Sequence, residues 1–214
     1  DFSRPLAKVV LNAAPSTRLP VSRTRFEDLT ATVFAAEAAG VAGWALDTAA
    51  EYAKVREQFG KPIGSFQAVK HICAEMLLRS QQIAVAAGDA AVAAAGGDDD
   101  QLSIAAAVAT ATGIEAATAN TKDAIQVLGG IGITWEHDAH LYLRRAYGIG
   151  QFLGGRSRWL RRVAELTVSG VRRDLHCVPA RPASDGRHNG RRELAAAIHE
   201  ESHRPVWTAD QVGS

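Results

Sequence analysis

Three stretches of about thirty residues, each rich in small apolar side chains and separated by clusters of helix breakers, constrain this chain more than any other feature. They cover residues 26 to 59, 66 to 95 and 100 to 128. Segments of that length with apolar residues three and four apart read as helices, because strands are far shorter. In the first, Val33, Glu37, Val41, Trp44, Thr48, Tyr52 and Val55 share one stripe, and Gly60, Pro62 and Gly64 end the helix. Ser65 is placed as N-cap of the second, whose apolar face carries Val69, Ile72, Cys73, Met76 and Leu77. Gly96-Gly97 stops it, and Asp98-Asp99-Asp100 puts acidic groups where the third begins. The third is dominated by alanine, with Ile104, Val108, Ile114 and Ile125, and side chains that small suit close contact between helices. After Gly129-Gly130-Ile131-Gly132, residues 136 to 150 and 156 to 172 fit two shorter helices.

The expected fold is therefore all-α: an up-down bundle of about five helices over residues 25 to 174. Residues 6 to 12 read as a short strand with no sheet to join here. Residues 1 to 24 are accordingly expected to be the end of an upstream β-rich portion and its linker. Residues 175 to 214 contain Pro179, Pro182, Gly186 and Gly190 and are expected to form a flexible tail, with a short helix over 193 to 199. Hydrophobic residues make up 47% and charged residues 22%, enough for a packed core. A net charge of +1 gives no case for a nucleic-acid partner. No apolar run of membrane-spanning length stands out, and Asp1-Phe2-Ser3-Arg4 lacks the apolar core of a signal peptide. Cys73 and Cys177 are the only cysteines, one in a helical pattern and one in the tail. A reducing, cytoplasmic setting without a disulfide is expected.

Two segments carry chemistry. Arg56-Glu57-Gln58-Phe59-Gly60-Lys61-Pro62 puts a guanidinium and an aromatic ring at a helix end, before a tight turn. Arginine can clamp a pyrophosphate through two parallel N–H bonds, and a ring can pack against a flat cofactor. Gln126-Val127-Leu128-Gly129-Gly130-Ile131-Gly132 lets backbone N–H groups come close to a ligand. It is not a Rossmann fingerprint, because a helix precedes it. Either segment alone would read as an ordinary helix terminus.

Taken together, in this order and spacing, and followed by Arg144-Arg145-Ala146, the segments resemble the C-terminal helical domain of the acyl-CoA dehydrogenase family over residues 1 to about 174. The resemblance implies FAD, α,β-desaturation of an acyl-CoA thioester, and a homo- or hetero-oligomer with another acyl-CoA dehydrogenase subunit. It also implies electron-transfer flavoprotein as a partner. Residue by residue, it assigns Arg56 and Gln58 to the FAD pyrophosphate, with Phe59 packed nearby. Gln126, Gly129 and Gly130 go to the adenosine end, on the flavin of a neighbouring subunit. Gly155 and Ser157 fall where the fold places further flavin contacts.

The same resemblance exposes a gap. The reaction needs a carboxylate to take the α-proton. The two positions where family members carry it are occupied here by Leu153 and Thr30, neither an acid. Three readings stay open. Glu37, two helical turns beyond Thr30, is a candidate displaced base, or else a glutamate paired with an arginine. A partner subunit supplies the base, as the similarity of Leu153-Gly154-Gly155 to non-catalytic partners in paired actinobacterial acyl-CoA dehydrogenases of steroid side-chain breakdown implies. Or the chain is part of a longer or fused polypeptide. A non-catalytic scaffold that completes a partner's FAD site is the alternative to an enzyme. His137 and His140 are too few donors for a metal site, and none is expected. Trp44 and Trp135 read as core residues.

Overall fold

The computed structural model describes Arg4 and residues 7–174. Five helices dominate: α1 (Arg23–Val55), α2 (Gln67–Gly96), α3 (Asp99–Leu128), α4 (Ala139–Phe152) and α5 (Arg156–Val168). The five-helix bundle expected from the sequence is present. Each boundary has a local cause. Ser22 opens α1 by accepting a hydrogen bond from the Arg25 amide at 3.1 Å. Asp98 opens α3 by accepting from the amides of Asp100 and Gln101, as its acidic cluster suggested. Gly97, at φ +80°, closes α2 in a left-handed conformation that suits glycine.

The strand expected over residues 6 to 12 is not formed. Residues 7 to 11 carry no regular structure and are exposed. The first helix also stops earlier than expected, at Val55 rather than Phe59. Arg56 turns to extended backbone, and Glu57–Gln58 (β1) pairs antiparallel with Lys61–Pro62 (β2). Phe59 and Gly60 make the turn at φ +54° and +76°, which no helix can accommodate. Ser65 does not cap α2. It lies in the 3₁₀ turn Ile63–Ser65 and donates to the Pro62 carbonyl, which leaves Phe66 at the cap position. The last helix ends at Val168, four residues short of the expectation. The expected helix over 193 to 199 lies outside the described residues.

The buried stripe of α1 is built from Ala31, Ala35, Ala38, Ala42, Ala45, Ala49 and Ala53, with Leu46. The expected stripe flanks it: Val41 is buried, but Val33 and Val55 are 69% and 75% exposed. Small residues win because α1 packs against α2 and α3 at once, and larger side chains would hold the axes apart. The tightest point is Gly113 on α3, where an added Cβ would lie 3.1 Å from both the Ala38 Cβ and the Ile83 Cδ1. By length and hydropathy, α1 and the stretch Asp99–Ile133 could cross a membrane, contrary to the reading of the sequence. Half and 72% of those apolar windows are buried against neighbouring helices.

Polar contacts set the direction of the helices. Arg25 pairs with Asp99, Asp28 accepts from Ser103, and the Asn120 amide reaches the Ala42 carbonyl at 3.1 Å. Rising numbers on α1 thus match rising numbers on α3, so the two run parallel. Ile83 meets Gly113 while Ser80 and Met76 meet Asn120, so α2 runs antiparallel between them. Along α4, Tyr142 stacks on Trp44, Arg145 bonds Glu37, and Phe152 packs on Phe34, which makes α4 antiparallel to α1. Arg162 reaches the wholly buried Asp28 at 3.0 Å and ties α5 to the start of α1.

Asn120 is the polar centre of the three-helix contact. Its amide nitrogen lies within 3.1 Å of the Ala42 and Met76 carbonyls and of Ser80 Oγ, and its oxygen accepts from Arg79 Nε at 2.7 Å. Asn120→Ala strands these buried groups. It is expected to destabilise the protein by about 1–3 kcal/mol, measured as a fall in the thermal or denaturant midpoint.

Candidate functional site

Because α1 and α3 run parallel, their C-terminal ends meet. Ala49 and Ala53 of α1 pack with Ala124 and Val127 of α3, and Ile63 and Val69 close over them. The Arg56 hairpin and the Gly129 turn therefore border one apolar cluster at one end of the bundle. The two segments that carry the family resemblance, some seventy residues apart in sequence, are brought to the same end.

Their side chains face outward. Arg56, Gln58, Phe59, Gln126, Gly129 and Gly130 are all exposed. The Arg56 guanidinium makes no hydrogen bond or ion pair among the described residues, and the Gln126 amide makes none either. Arg56 is fixed through its backbone instead: its N–H donates to the Tyr52 carbonyl at 2.9 Å, and its own carbonyl accepts from Ile63 N–H at 2.8 Å. Gln58 turns back on the hairpin and donates to the Glu57 carbonyl at 2.8 Å. Phe59 is 91% exposed, with its ring edge-on to Phe66 at 6.1 Å. A bulky residue at φ +54° is strained, and here the strain presents a ring to the exterior.

The three glycines of the second segment differ in what holds them. Gly129 ends α3 at φ +62°, ψ −133°, a region that disfavours side chains. Gly132 is buried, and a Cβ there would lie 2.8 Å from the Leu128 Cβ. Gly130 has nothing within 4 Å of an added Cβ, so nothing in this chain demands a glycine. Gly64 is a packing glycine that sequence reading used only as a helix stop: its Cβ would meet the Ala53 carbonyl at 2.9 Å. An exposed guanidinium without a partner, a strained exposed ring and a glycine with open space fit a flat, anionic dinucleotide such as FAD.

Gly155 and Ser157 lie elsewhere. Arg156, between them, pairs with Glu115 in the middle of α3. At 1.5 Å per residue, Glu115 is roughly 20 Å along the axis from Gly129. The two base positions are farther still. Leu153 is 5% exposed, in a cluster with Ala31 and Ala38, and its carbonyl accepts from Trp159 Nε1 at 2.9 Å. Thr30 spends its hydroxyl on the Phe26 carbonyl at 2.8 Å. Along α1, Thr30 and Arg56 are about 40 Å apart by the same helical rise. Glu37 has the paired arrangement weighed from the sequence. Its carboxylate accepts from Arg145 at 2.7 Å and from Arg4.

Trp44 is half-buried and stacks on Tyr142 at 3.5 Å, whereas Trp135, read as a core residue, is 73% exposed. His137 and His140 form no metal group among the described residues. The His137 Nδ1 instead accepts from the Ala139 amide at 3.0 Å and opens α4, while His140 Nδ1 contacts the His137 carbonyl. Burial pushes the Cys73 thiol above its ordinary pKa, with a smaller contribution from Asp123, so it is a packed side chain rather than a reactive thiolate.

With this geometry in hand, similarity to known proteins is specific. The profile of the family described as "Acyl-CoA dehydrogenase, C-terminal domain" matches residues 21–165. The chain belongs to the acyl-CoA dehydrogenase family and carries its C-terminal helical domain. It is 67% identical over 215 residues to acyl-CoA dehydrogenase FadE34 of Mycobacterium tuberculosis, covering 98% of this chain and 30% of that protein. It is 39% identical to acyl-CoA dehydrogenase IpdE2 of Mycolicibacterium smegmatis, covering 76% of this chain and 49% of that one. The chain thus spans half or less of the length of these relatives. Among solved structures, the Tcur3481-Tcur3483 steroid ACAD superposes with a TM-score of 0.64 at 36% identity, over 67% of this chain and 39% of that one. The ChsE4-ChsE5 complex of Mycobacterium tuberculosis follows at 0.63 and 32%, over 66% and 38%.

The burial of Leu153 makes a direct prediction. Leu153→Glu places a carboxylate in the apolar cluster with Ala31 and Ala38. It is expected to lower the melting temperature and to create no acyl-CoA desaturation, measured by dye reduction.

Proposed function

We propose that this chain is the part of an acyl-CoA dehydrogenase that grips FAD at a subunit interface, in a protein that desaturates an acyl-CoA thioester between Cα and Cβ. The observation that carries this reading is a separation. The outward-facing Arg56 and Gly130 occupy one end of the bundle, and the positions Thr30 and Leu153 lie about 40 Å away along α1. FAD is far shorter than that, so one copy of the chain cannot hold a flavin diphosphate at one end and face the same flavin's reacting ring at the other. A grip at this end serves a flavin whose reacting end belongs to another subunit or another part of the polypeptide.

In this reading Arg56 clamps the diphosphate through parallel N–H bonds, and Phe59 packs beside it. Gln58 assists at the diphosphate, and Gln126 offers its amide to the adenosine end. Gly129 holds the turn in shape, and Gly130 leaves room for the adenosine end to approach the backbone. Bound FAD supplies the hydride acceptor for the β-carbon. Gly155 and Ser157, roughly 20 Å along α3 from that turn, would serve a second flavin site rather than the same one. The α-proton goes to a carboxylate that this chain does not present at either family position. Glu37 is poorly placed to be that base, because its carboxylate is already engaged by Arg145 and Arg4.

A second reading, a scaffold that completes a partner's flavin site without doing chemistry, is favoured by Leu153 in particular. Similarity to a protein solved as the ChsE4-ChsE5 complex supports a hetero-oligomer. Electron-transfer flavoprotein as acceptor, which the family resemblance implies, and a cytoplasmic location, in keeping with only two cysteines, complete the proposal. The two readings separate on one measurement, flavin content against native mass. A copy that is yellow and bleaches with an acyl-CoA is an enzyme. A copy that turns yellow only with a partner is a scaffold.

Two variants test the grip in the assembled protein. Arg56→Ala is expected to loosen FAD on the order of tenfold to a hundredfold, the worth of hydrogen bonds to a charged group. Gly130→Ala, with open space around its new Cβ, is expected to leave the melting temperature unchanged while lowering flavin occupancy. Unchanged FAD affinity in both variants would contradict the assignment.

A further inference from the structure

The flavin reading leaves one side chain at this end of the bundle without a task. Trp135 is 73% exposed, although tryptophan is among the residues that folding covers most on average. It lies five residues beyond Gly130, just past the 3₁₀ turn Gly129–Ile133, and so shares the end of the bundle with Arg56 and the glycine turn. It is nevertheless held in place. The Arg144 guanidinium sits over its indole, 5.1 Å from the ring centroid. The His140 ring meets it edge-on, centroids 5.0 Å apart at 77°. His140 and Arg144 are one turn apart on α4, and His140 is itself fixed by contact with the His137 carbonyl at 2.8 Å. An indole held by a cation over the ring and by a T-shaped contact with His140 is still 73% exposed, so much of its π-surface stays open.

The surroundings limit what that face can receive. Ile133, 78% exposed, adds one apolar edge, but Thr134, Glu136 and Asp138 make the rest polar. The open π-surface is that of one flat indole ring, with polar side chains next to it in the chain. A purine fits it: stacking on an aromatic side chain uses the π-face that every base has. A cation on the far side of the indole adds to the hold on the platform.

We infer that Trp135 is the stacking platform for the adenine ring of the dinucleotide whose diphosphate Arg56 holds and whose adenosine end the Gly130 turn receives, an inference that rests on the flavin reading. Gln126 then meets the adenosine by hydrogen bonding and Trp135 by stacking. Trp135 is a binding residue, remote from the reacting carbons.

The test uses the assembled protein that carries this chain, with FAD and ADP as probes, ADP having the adenosine diphosphate half alone. Trp135→Ala is expected to loosen both about tenfold. Trp135→Phe, which keeps a π-face, is expected to hold both within about threefold, and the native mass is unchanged in each. If Trp135→Ala binds FAD and ADP as the parent does while Arg56→Ala loosens FAD, the stacking role is wrong and the flavin reading survives. A Trp135→Ala complex that loses a subunit yet keeps its ADP affinity likewise overturns it, because the indole is then a protein contact. If Arg56→Ala leaves FAD affinity untouched, the flavin reading falls and this inference falls with it.

Discussion

Everything in this domain depends on how closely α1, α2 and α3 approach one another. Alanine after alanine on α1 and a glycine at position 113 let three helix axes converge where larger side chains would hold them apart. Contacts between such small groups are individually weak and tolerate sliding, so alanine packing alone fixes distance better than register. Asn120 supplies the register. Two amide protons are shared among the Ala42 carbonyl of α1 and, on α2, the Met76 carbonyl and the Ser80 hydroxyl. A slip of one residue would leave those buried groups unpaired, a cost of the same order as the net stability a hydrogen bond contributes.

The parallel course of α1 and α3 is what makes a site. Sequential helices joined by short loops would be antiparallel; α1 and α3 are parallel because α2 lies between them in the chain. Their C-terminal ends therefore coincide, and the hairpin after α1 stands beside the glycine turn after α3. The Asp28–Ser103–Arg162 group anchors the opposite end and ties α5 down there. The bundle thus has one end secured by buried charge and another whose charged and aromatic groups are turned outward. The second arrangement gains little for a chain on its own: among the described residues the Arg56 side chain has no partner, Phe59 is strained and Trp135 stays 73% exposed. Their presence at one end makes sense when a ligand and a second subunit share them.

Some of this was legible in the residues and some was not. Helix number and the glycine stops could be read directly, since 3.6-residue periodicity and the conformational needs of glycine are local. The buried face of α1 could not. Valine, tryptophan and tyrosine form a more hydrophobic stripe than alanine does, and only contact with two helices at once makes the smaller residues the ones that are covered. The hairpin at Glu57–Pro62 was hidden because Arg56-Glu57-Gln58 has good helix propensity, and Phe59 gives no warning that it will take a positive φ. Trp135 was read as core on hydrophobicity alone, whereas its bracing by Arg144 and His140 depends on where α4 docks.

By itself the sequence determined the membership and the parts list: long alanine-rich helices, an arginine-aromatic turn, a glutamine-glycine turn, and no acid at positions 30 and 153. Those are properties of residue identity and short spacing, which survive without coordinates. Tertiary structure alone decided which ends meet, that Leu153 is buried, that Glu37 is spent on two arginines, and that Thr30 stands about 40 Å from Arg56 along α1. Such distances arise from the direction in which one helix lies against another, and that direction is set by contacts between residues dozens of positions apart.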